Sequence, residues 1–326
     1  MIREPQQIAS RLELGQWPSP IIEASDIRDG LWIKNDGVCH SVYGGNKVRK
    51  LEFILPRSDR RIVTFGAAGS HHVLATAVHG RAQGYEVSAV LFPRPWSAHS
   101  QQVLHAATGL ADLRFHVDRD RATALYEELS QDRTAVPAGG STPHGALGYV
   151  EAALELSRQV KAGLMPSPRR IFVAVGTAGT LAGLAVGLSM AGLSAKVIGV
   201  RVVPKEWLTV DEVDSLCKAT AQLLGAGIGE WSLDDGQLGD GYGYSTPSAV
   251  DSIKCGSELG LKLEDCYTGK AMAAALAAEG GPDLYWQTGN QTSLDPLISA
   301  APEWQPELWK WLDPAFKQGL SPKSMP

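Results

Sequence analysis

A chain of 326 residues has room for two domains or one large α/β unit. Hydrophobic residues make up 44% and charged residues 20%, which excludes a wholly disordered chain. Lys plus Arg number 30 against 35 Asp plus Glu, a net charge of −5, and that balance argues against nucleic acid as the main partner.

Four cysteines, Cys39, Cys217, Cys255 and Cys266, form no Cys-x-x-Cys and read as reduced thiols of a cytoplasmic protein. Residues 1–7 carry no apolar core of a secretory signal. One uncharged run, 171–193, has the length of a membrane span, and Gly179, Gly183 and Gly187 repeat in it at helix-packing spacing. No aromatic belt and no second span accompany it. The run therefore reads as a strand over 171–175, a turn over 176–180 and a small-residue helix against a sheet, and no membrane partner is expected.

Beyond the first sixty residues, strand-like and helix-like runs alternate. A strand over 62–65 leads to a helix over 71–83 that stops at Gly84, a good capping position. Strands follow over 87–92 and 113–117, and helices over 97–108 and 121–130. A long amphipathic run reaches Lys161, then strands start at Ile171 and Val197, a helix covers 209–224, and a buried strand covers 283–287. Such alternation with short connections predicts right-handed crossovers and mainly parallel sheets. The Gly-Leu-Met-Pro-Ser-Pro stretch at 163–168 is the clearest break in composition and a candidate domain boundary. The glycine-rich stretch 225–247 reads as one long loop, and loops of that length are usually functional.

Four segments can carry chemistry. In Tyr43-Gly44-Gly45-Asn46-Lys47 the glycines let the backbone crowd a ligand. Lys47 can be a Schiff-base amine or an ordinary solvated lysine at a helix start. Lys50 competes with it three residues on, and the glycine approach favours Lys47. In Gly66-Ala67-Ala68-Gly69-Ser70-His71-His72, Ser70 lies near a helix N-terminus, where it can bind an anion or simply cap its own helix. A metal there is rejected, because neighbouring helical residues point about 100° apart and no ligand set is complete.

Gly176-Thr177-Ala178-Gly179-Thr180 joins a strand to a helix and makes either a phosphate cradle or a ligand-free tight turn. It is neither a dinucleotide fingerprint nor a Walker A loop. Last come Glu264-Asp265-Cys266-Tyr267-Thr268-Gly269-Lys270 and Tyr285-Trp286-Gln287-Thr288-Gly289-Asn290, each with a hydroxyl beside a glycine. The second ends a strand, where open α/β sheets bind ligands.

Taken in order, these segments resemble the pyridoxal-phosphate enzymes of fold type II, in the group of 1-aminocyclopropane-1-carboxylate (ACC) deaminase and D-cysteine desulfhydrase. The match runs over about residues 10–295 and is most specific in Gly-Gly-Asn-Lys-x-Arg-Lys-Leu-Glu at 44–52 and Tyr-Thr-Gly-Lys-Ala-Met at 267–272. The resemblance implies a tryptophan-synthase-β-like fold of two parallel-sheet α/β domains with the cofactor between them. The smaller domain is expected over 49–160, the larger over 1–48 plus 161–326, and the assembly as a homodimer.

By the same resemblance Lys47 is the lysine that takes the cofactor, and Gly176, Thr177, Ala178, Gly179 and Thr180 hold its phosphate. Asn46 and His71 lie at the cofactor, Ser70 binds the substrate carboxylate, and Tyr242 and Tyr267 are the active-site tyrosines. The implied substrate is a small amino acid, and no metal is called for. Relatives of the deaminase place a glutamate directly after the second tyrosine, against the ring nitrogen. Here Thr268 stands in that place, and Thr288, followed by Gly289, can meet the nitrogen with a neutral hydroxyl.

A weaker electron sink suits β-elimination from a D-cysteine-like substrate better than opening of a cyclopropane ring. The expected activity is therefore a desulfhydrase-like lyase, with ACC deamination, β-replacement and a non-catalytic cofactor-binding role as alternatives. Three segments depart from the family pattern. His71 stands where asparagine is usual, Ala178 replaces the middle glycine of the phosphate loop, and Gln287-Thr288-Gly289-Asn290 replaces His-Thr-Gly-Gly.

Overall fold

The computed structural model describes residues 3–304. They fall into two compact units, one of residues up to Pro56 with Gly140–Thr292, the other of Arg57–Gly139 with the segment from Ser293. The larger unit opens with α1 (Pro5–Ile8), β1 (Ile21–Glu23), β2 (Leu31–Asn35) and α2 (Asn46–Ile54).

The smaller unit follows with β3 (Arg61–Ala67), α3 (His71–Ala82), β4 (Glu86–Phe92), α4 (Ala98–Thr108), β5 (Asp112–Phe115), α5 (Arg119–Leu129) and β6 (Thr134–Val136). The chain then returns to the larger unit. It adds α6 (Pro143–Lys161), β7 (Arg170–Val175), α7 (Gly179–Ala191), β8 (Lys196–Arg201), α8 (Val210–Leu224), β9 (Trp231–Asp234), α9 (Pro247–Glu258), α10 (Thr268–Ala277) and β10 (Asp283–Gln287). A last short helix, α11 (Asp295–Ser299), belongs to the smaller unit.

The larger sheet has six strands in the order β1-β2-β10-β7-β8-β9, parallel except for the β1–β2 pair. The smaller has four, β5-β4-β3-β6, all parallel. The fold is thus α/β with two parallel-sheet units, as the alternation predicted. Central strands such as β7 and β10 are buried along almost their whole length, which is why they read as continuous apolar runs rather than alternating ones.

The uncharged run at 171–193 is β7 followed by α7, and no helix among the described residues is long and apolar enough to cross a membrane. Its glycines serve packing within the unit. A Cβ on Gly183 would collide with the Ala146 carbonyl, and one on Gly187 would lie 2.7 Å from the Val150 carbonyl. These gaps let α7 lie flat on α6.

That packing also moves the division of the chain. Residues 49–54 complete α2, and Gly148 of α6 sits so close to Arg49 that a Cβ would strike its carbonyl. Both helices therefore belong to the larger unit, and the chain crosses at Pro56–Arg57 and Gly139–Gly140 rather than at 48/49 and 160/161. The composition break at 163–168 is only the turn between α6 and β7. The stretch 225–247 is not a single loop either, because β9 adds the outer strand to the sheet beside β8.

Candidate active site

Lys47 is the second residue of α2, and the turn before it is drawn tight. Gly45, which caps the helix, has φ +102°, and a Cβ there would come within 2.7 Å of the Thr288 carbonyl oxygen. Only glycine takes this position without strain. The Asn46 N–H donates to that same oxygen at 3.0 Å, and Gly44 N donates to Asn290 Oδ1 at 2.8 Å. The turn is therefore clamped to the segment that leaves β10. Asn290, a departure from the family pattern, earns its place as the residue that pins Gly44.

Gln287 is consumed inside the sheet, its Oε1 accepting from Tyr285 OH at 2.7 Å and its Nε2 donating to the Lys262 carbonyl at 3.3 Å.

Desolvation lowers the Lys47 amine to a pKa of about 8. Lys50, one turn further on the same face, is 2% exposed. Loss of hydration, then the positive charge of Lys47, put its pKa well below the ordinary lysine value. Lys50 Nζ donates to Ser141 Oγ at 3.5 Å. Ser141 Oγ in turn meets Thr177 Oγ1 at 2.7 Å and accepts from Gly179 N at 3.1 Å.

The lysine turn and the 176–180 loop are thus neighbours in one unit, joined again where Asn46 Nδ2 donates to Thr180 Oγ1 at 3.1 Å. Ala178 holds φ +62°, the left-handed region, and with it the N-terminus of α7 is turned toward Ser141 and Lys50. Among the described residues it is the only non-glycine residue with positive φ. Sequence reasoning passed over Ser141 and weighed Lys50 only as a competitor of Lys47; the three-residue spacing places the two lysines on the same face.

Tyr267 and Tyr242 also meet. Tyr267 OH donates to Tyr242 OH at 2.9 Å, with the rings edge to face at 5.9 Å. Tyr242 rides on a glycine-rich loop that Lys270 holds, Nζ donating to the carbonyls of Leu238 at 2.9 Å and Gly241 at 3.4 Å. Thr268 begins α10, and its Cγ2 would lie 3.0 Å from a Cβ on Gly289, which puts it beside the Thr288–Gly289 turn.

In the smaller unit, Ser70 caps α3 by accepting from Val73 N at 3.4 Å. Capping uses an oxygen lone pair and leaves the hydroxyl proton for another acceptor. His71 Nε2 lies 2.8 Å from His99 Nε2 at the start of α4. His72 is bound at Nε2 to Thr64 Oγ1 at 2.8 Å. The adjacent histidines thus point to different partners, and no cluster of three metal-ligating side chains forms among the described residues.

The model of the family described as pyridoxal-phosphate-dependent enzymes matches residues 12–283. A D-cysteine desulfhydrase of Klebsiella pneumoniae is 33% identical over 87% of this chain and 95% of its own length. One of Salmonella paratyphi B is 32% identical over the same shares. Among solved structures, an ACC deaminase homologue superposes with a TM-score of 0.76 at 27% identity, covering 92% of this chain and all of that one. Threonine deaminase isoform 2 of Solanum lycopersicum shares the fold, at TM-score 0.59 and 16% identity over 86% and 82%.

Pyridoxal phosphate needs an amine for its aldehyde, and donors with positive charge for its phosphate. The larger unit offers both. Lys47 is a desolvated amine. A Cβ on Gly179 would stand 2.9 Å from Lys50 Nζ and 2.7 Å from Ser141 Oγ, so the glycine keeps open a cradle lined by a cation, a hydroxyl and a helix N-terminus. The residues fit the cofactor, and the chain belongs to the pyridoxal-phosphate-dependent enzymes of fold type II, with relatives among the D-cysteine desulfhydrases.

Proposed function

We propose that this protein eliminates the β-substituent of D-cysteine or a similar small D-amino acid. With water added, D-cysteine would give a 2-oxo acid, ammonia and hydrogen sulfide. The observation that carries the choice is Thr268: the residue after Tyr267 is a neutral hydroxyl, not a carboxylate. The names of the most similar curated relatives point the same way.

When bound, the cofactor draws electron density from the Cα of the amino acid attached to it and so acidifies the Cα–H. The rest falls to the chain. Lys50, Ser141 and the N–H groups of Gly176 to Thr180 hold the phosphate and set the ring's position. Ser70 uses its spare hydroxyl proton to receive the substrate carboxylate at the N-terminus of α3. Lys47, a half-buried amine with a pKa near 8, is the base for the Cα proton. The paired hydroxyls of Tyr242 and Tyr267 stand as donors for the departing sulfur.

The deciding experiment compares substrates on one preparation of holoenzyme. D-cysteine and β-chloro-D-alanine should yield a 2-oxo acid and ammonia, and ACC should yield far less. Turnover of ACC at a rate equal to any β-substituted alanine would overturn the choice. The homodimer and a cytoplasmic setting belong to the same reading, supported by the resemblance and by four cysteines that are all free. A monomeric mass by light scattering would remove the dimer.

A further inference from the structure

Lys270 occupies an unfavourable place for a lysine. It is the third residue of α10 and is fully buried. A cation in the first turn of a helix opposes the macrodipole, and burial strips its hydration. Burial accordingly lowers its pKa, against the opposing influence of Cys266, Asp265, Glu264 and Asp240. Its contacts account for it. Gly241 N donates to the Leu238 carbonyl at 3.2 Å and closes a turn in the loop between β9 and α9. Lys270 Nζ donates to the carbonyls at both ends of that turn, at 2.9 Å to Leu238 and 3.4 Å to Gly241. The turn depends on glycine, with φ +58° at Gly239 and +113° at Gly241.

Tyr242 follows this turn directly, and two further contacts meet it. Its ring packs on the ring of Trp207 at 5.7 Å, and its hydroxyl accepts from Tyr267 OH at 2.9 Å. Tyr267 stands over the start of the 176–180 loop, since a Cβ on Gly176 would lie 3.2 Å from its Cε1. The ends of the Tyr242 loop are joined by other residues, Ser248 Oγ donating to Gln237 Oε1 at 2.6 Å. Lys270 reaches its middle.

We propose that Lys270 is a positioning residue that fixes the turn before Tyr242 and so holds the two tyrosine hydroxyls where a departing sulfur can take a proton. This role rests on the proposed function, in which the pair serves the leaving group. In D-cysteine the Cβ–S bond breaks with its electron pair on sulfur, and the HS− released takes one hydroxyl proton to become hydrogen sulfide. Water reprotonates the tyrosine, and the Cα proton held by Lys47 returns to that water, so no net proton is consumed. In β-chloro-D-alanine the Cβ–Cl bond breaks with its pair on chlorine, and chloride needs no proton. Loss of the Lys270 tether should therefore harm the first substrate and spare the second. A lysine that only stabilised the fold would affect both alike.

The test measures both substrates on holoenzyme, together with hydrogen exchange over 238–243. K270M keeps the bulk of the side chain and removes its donors. It should lower kcat for D-cysteine by about 10- to 100-fold, part of the roughly 10²–10⁴ that a positioned acid contributes, and kcat for β-chloro-D-alanine by less than about threefold. Residues 238–243 should exchange faster. Y242F should show the same preference between substrates. K270M combined with Y242F should lose no more than Y242F alone, because Lys270 acts through Tyr242. K270Q, whose amide keeps a donor on a chain one bond shorter, should lose less on D-cysteine than K270M.

Should K270M fail to fold, K270Q carries both readouts, with smaller changes of the same sign. Equal losses on the two substrates in the variant that carries the test, beside a selective loss in Y242F, would overturn the role of Lys270 and leave the tyrosines theirs. Equal losses in Y242F itself would remove the role of the pair, and that of Lys270 with it. Unchanged exchange over 238–243 in the variant that carries the test would overturn the tether whatever the reaction.

Discussion

Helix α2 carries three cations within two turns, and their surroundings differ. Arg49 is saturated with acid: Nη2 lies 2.9 Å from Asp36 Oδ1 and 3.0 Å from Glu155 Oε1, and Nε donates to Asp36 Oδ2 at 2.9 Å. Asp36 also accepts from Tyr149 OH at 2.7 Å and Trp286 Nε1 at 2.9 Å, and Lys34 Nζ sits 2.6 Å from Glu155. No carboxylate is among the groups that shift Lys47 and Lys50. What sets their pKa values is desolvation and, for Lys50, the other lysine.

Burial of a charge is costly unless something compensates it. The Arg49 set compensates itself and ties α2 to β2, α6 and β10. The two lysines lie where an anion or an aldehyde would suit them, Lys50 beside the Ser141 hydroxyl and the N-terminus of α7. Burial alone does not mark a functional cation; the groups around it do.

The contrast is broken most sharply at Lys47. K47A should lower kcat/KM by about three orders of magnitude or more, since a positioned base alone contributes about 10²–10⁴-fold. It should also abolish the visible absorbance of the lysine-bound cofactor while the far-UV spectrum stays that of wild type. A labelled lysine recovered from K47A after borohydride reduction would show that another amine does the work. In wild type the activity should rise with pH and level off above about 8, since the base form of Lys47 is needed. The cofactor-free protein should gain stability between about pH 8 and 10. Over that window the unfolded chain holds the Lys47 proton and the folded chain has lost it, so the slope is positive.

On the structural side of the comparison, D36N should cost roughly 3–5 kcal/mol of folding stability, the range for breaking a buried pair from one side. Burial works to raise the Asp36 pKa, yet the Arg49 guanidinium and its hydrogen bonds overcome this and bring it to about 2. Its contribution is therefore full above the unfolded value near 3.8 and is lost as pH falls through about 2. A chemical-denaturation midpoint unchanged in D36N would dissolve the distinction drawn here. K50M belongs to the other class. It should leave Lys47 able to take the cofactor but weaken its retention by about 10- to 100-fold, since hydrogen bonds to charged groups contribute about 1.5–3 kcal/mol. Equal cofactor dissociation constants for K50M and wild type would remove Lys50 from the phosphate site.

The same distinction explains what the sequence made legible. Strands β3, β4, β7, β8 and β10 announce themselves because their inner residues are mostly buried and mostly apolar. Strand β2 did not, since Lys34 near its end is fully buried against Glu155 and Gln159, so a charge interrupts what is in fact a core strand. Strand β9 is half-buried at every position and shows no period. The glycine turns were readable because the backbone forces their residue type, whereas the roles proposed for Lys47, Ser70, Tyr242 and Tyr267 came with the resemblance.

Ser141 was not singled out, and Lys50 only as a competitor of Lys47, because their contacts depend on partners distant in the chain. His71 is the clearest case. Its neighbour in space, His99, is 28 residues away, and only the folded chain shows the two imidazoles sharing one hydrogen bond.

The smallest effect expected is at Ala178, where backbone rather than charge is at stake. Its φ of +62° places a Cβ in the left-handed region, which costs about 1–2 kcal/mol for a residue other than glycine. The hydrogen bonds of Gly179 N to Ser141 Oγ and to the Thr177 carbonyl hold it there. A178G removes the Cβ strain but gives the unfolded chain more freedom to lose, so the net gain should be about 0.5–1 kcal/mol. The proposed phosphate cradle is lined by Lys50, Ser141 and backbone N–H groups, whose side chains the substitution leaves alone, so cofactor affinity should stay within about twofold of wild type. If A178G instead lowers both stability and cofactor affinity, the Ala178 methyl is a contact that the loop needs, and its unusual backbone is a consequence of that contact rather than a strain carried beside the site.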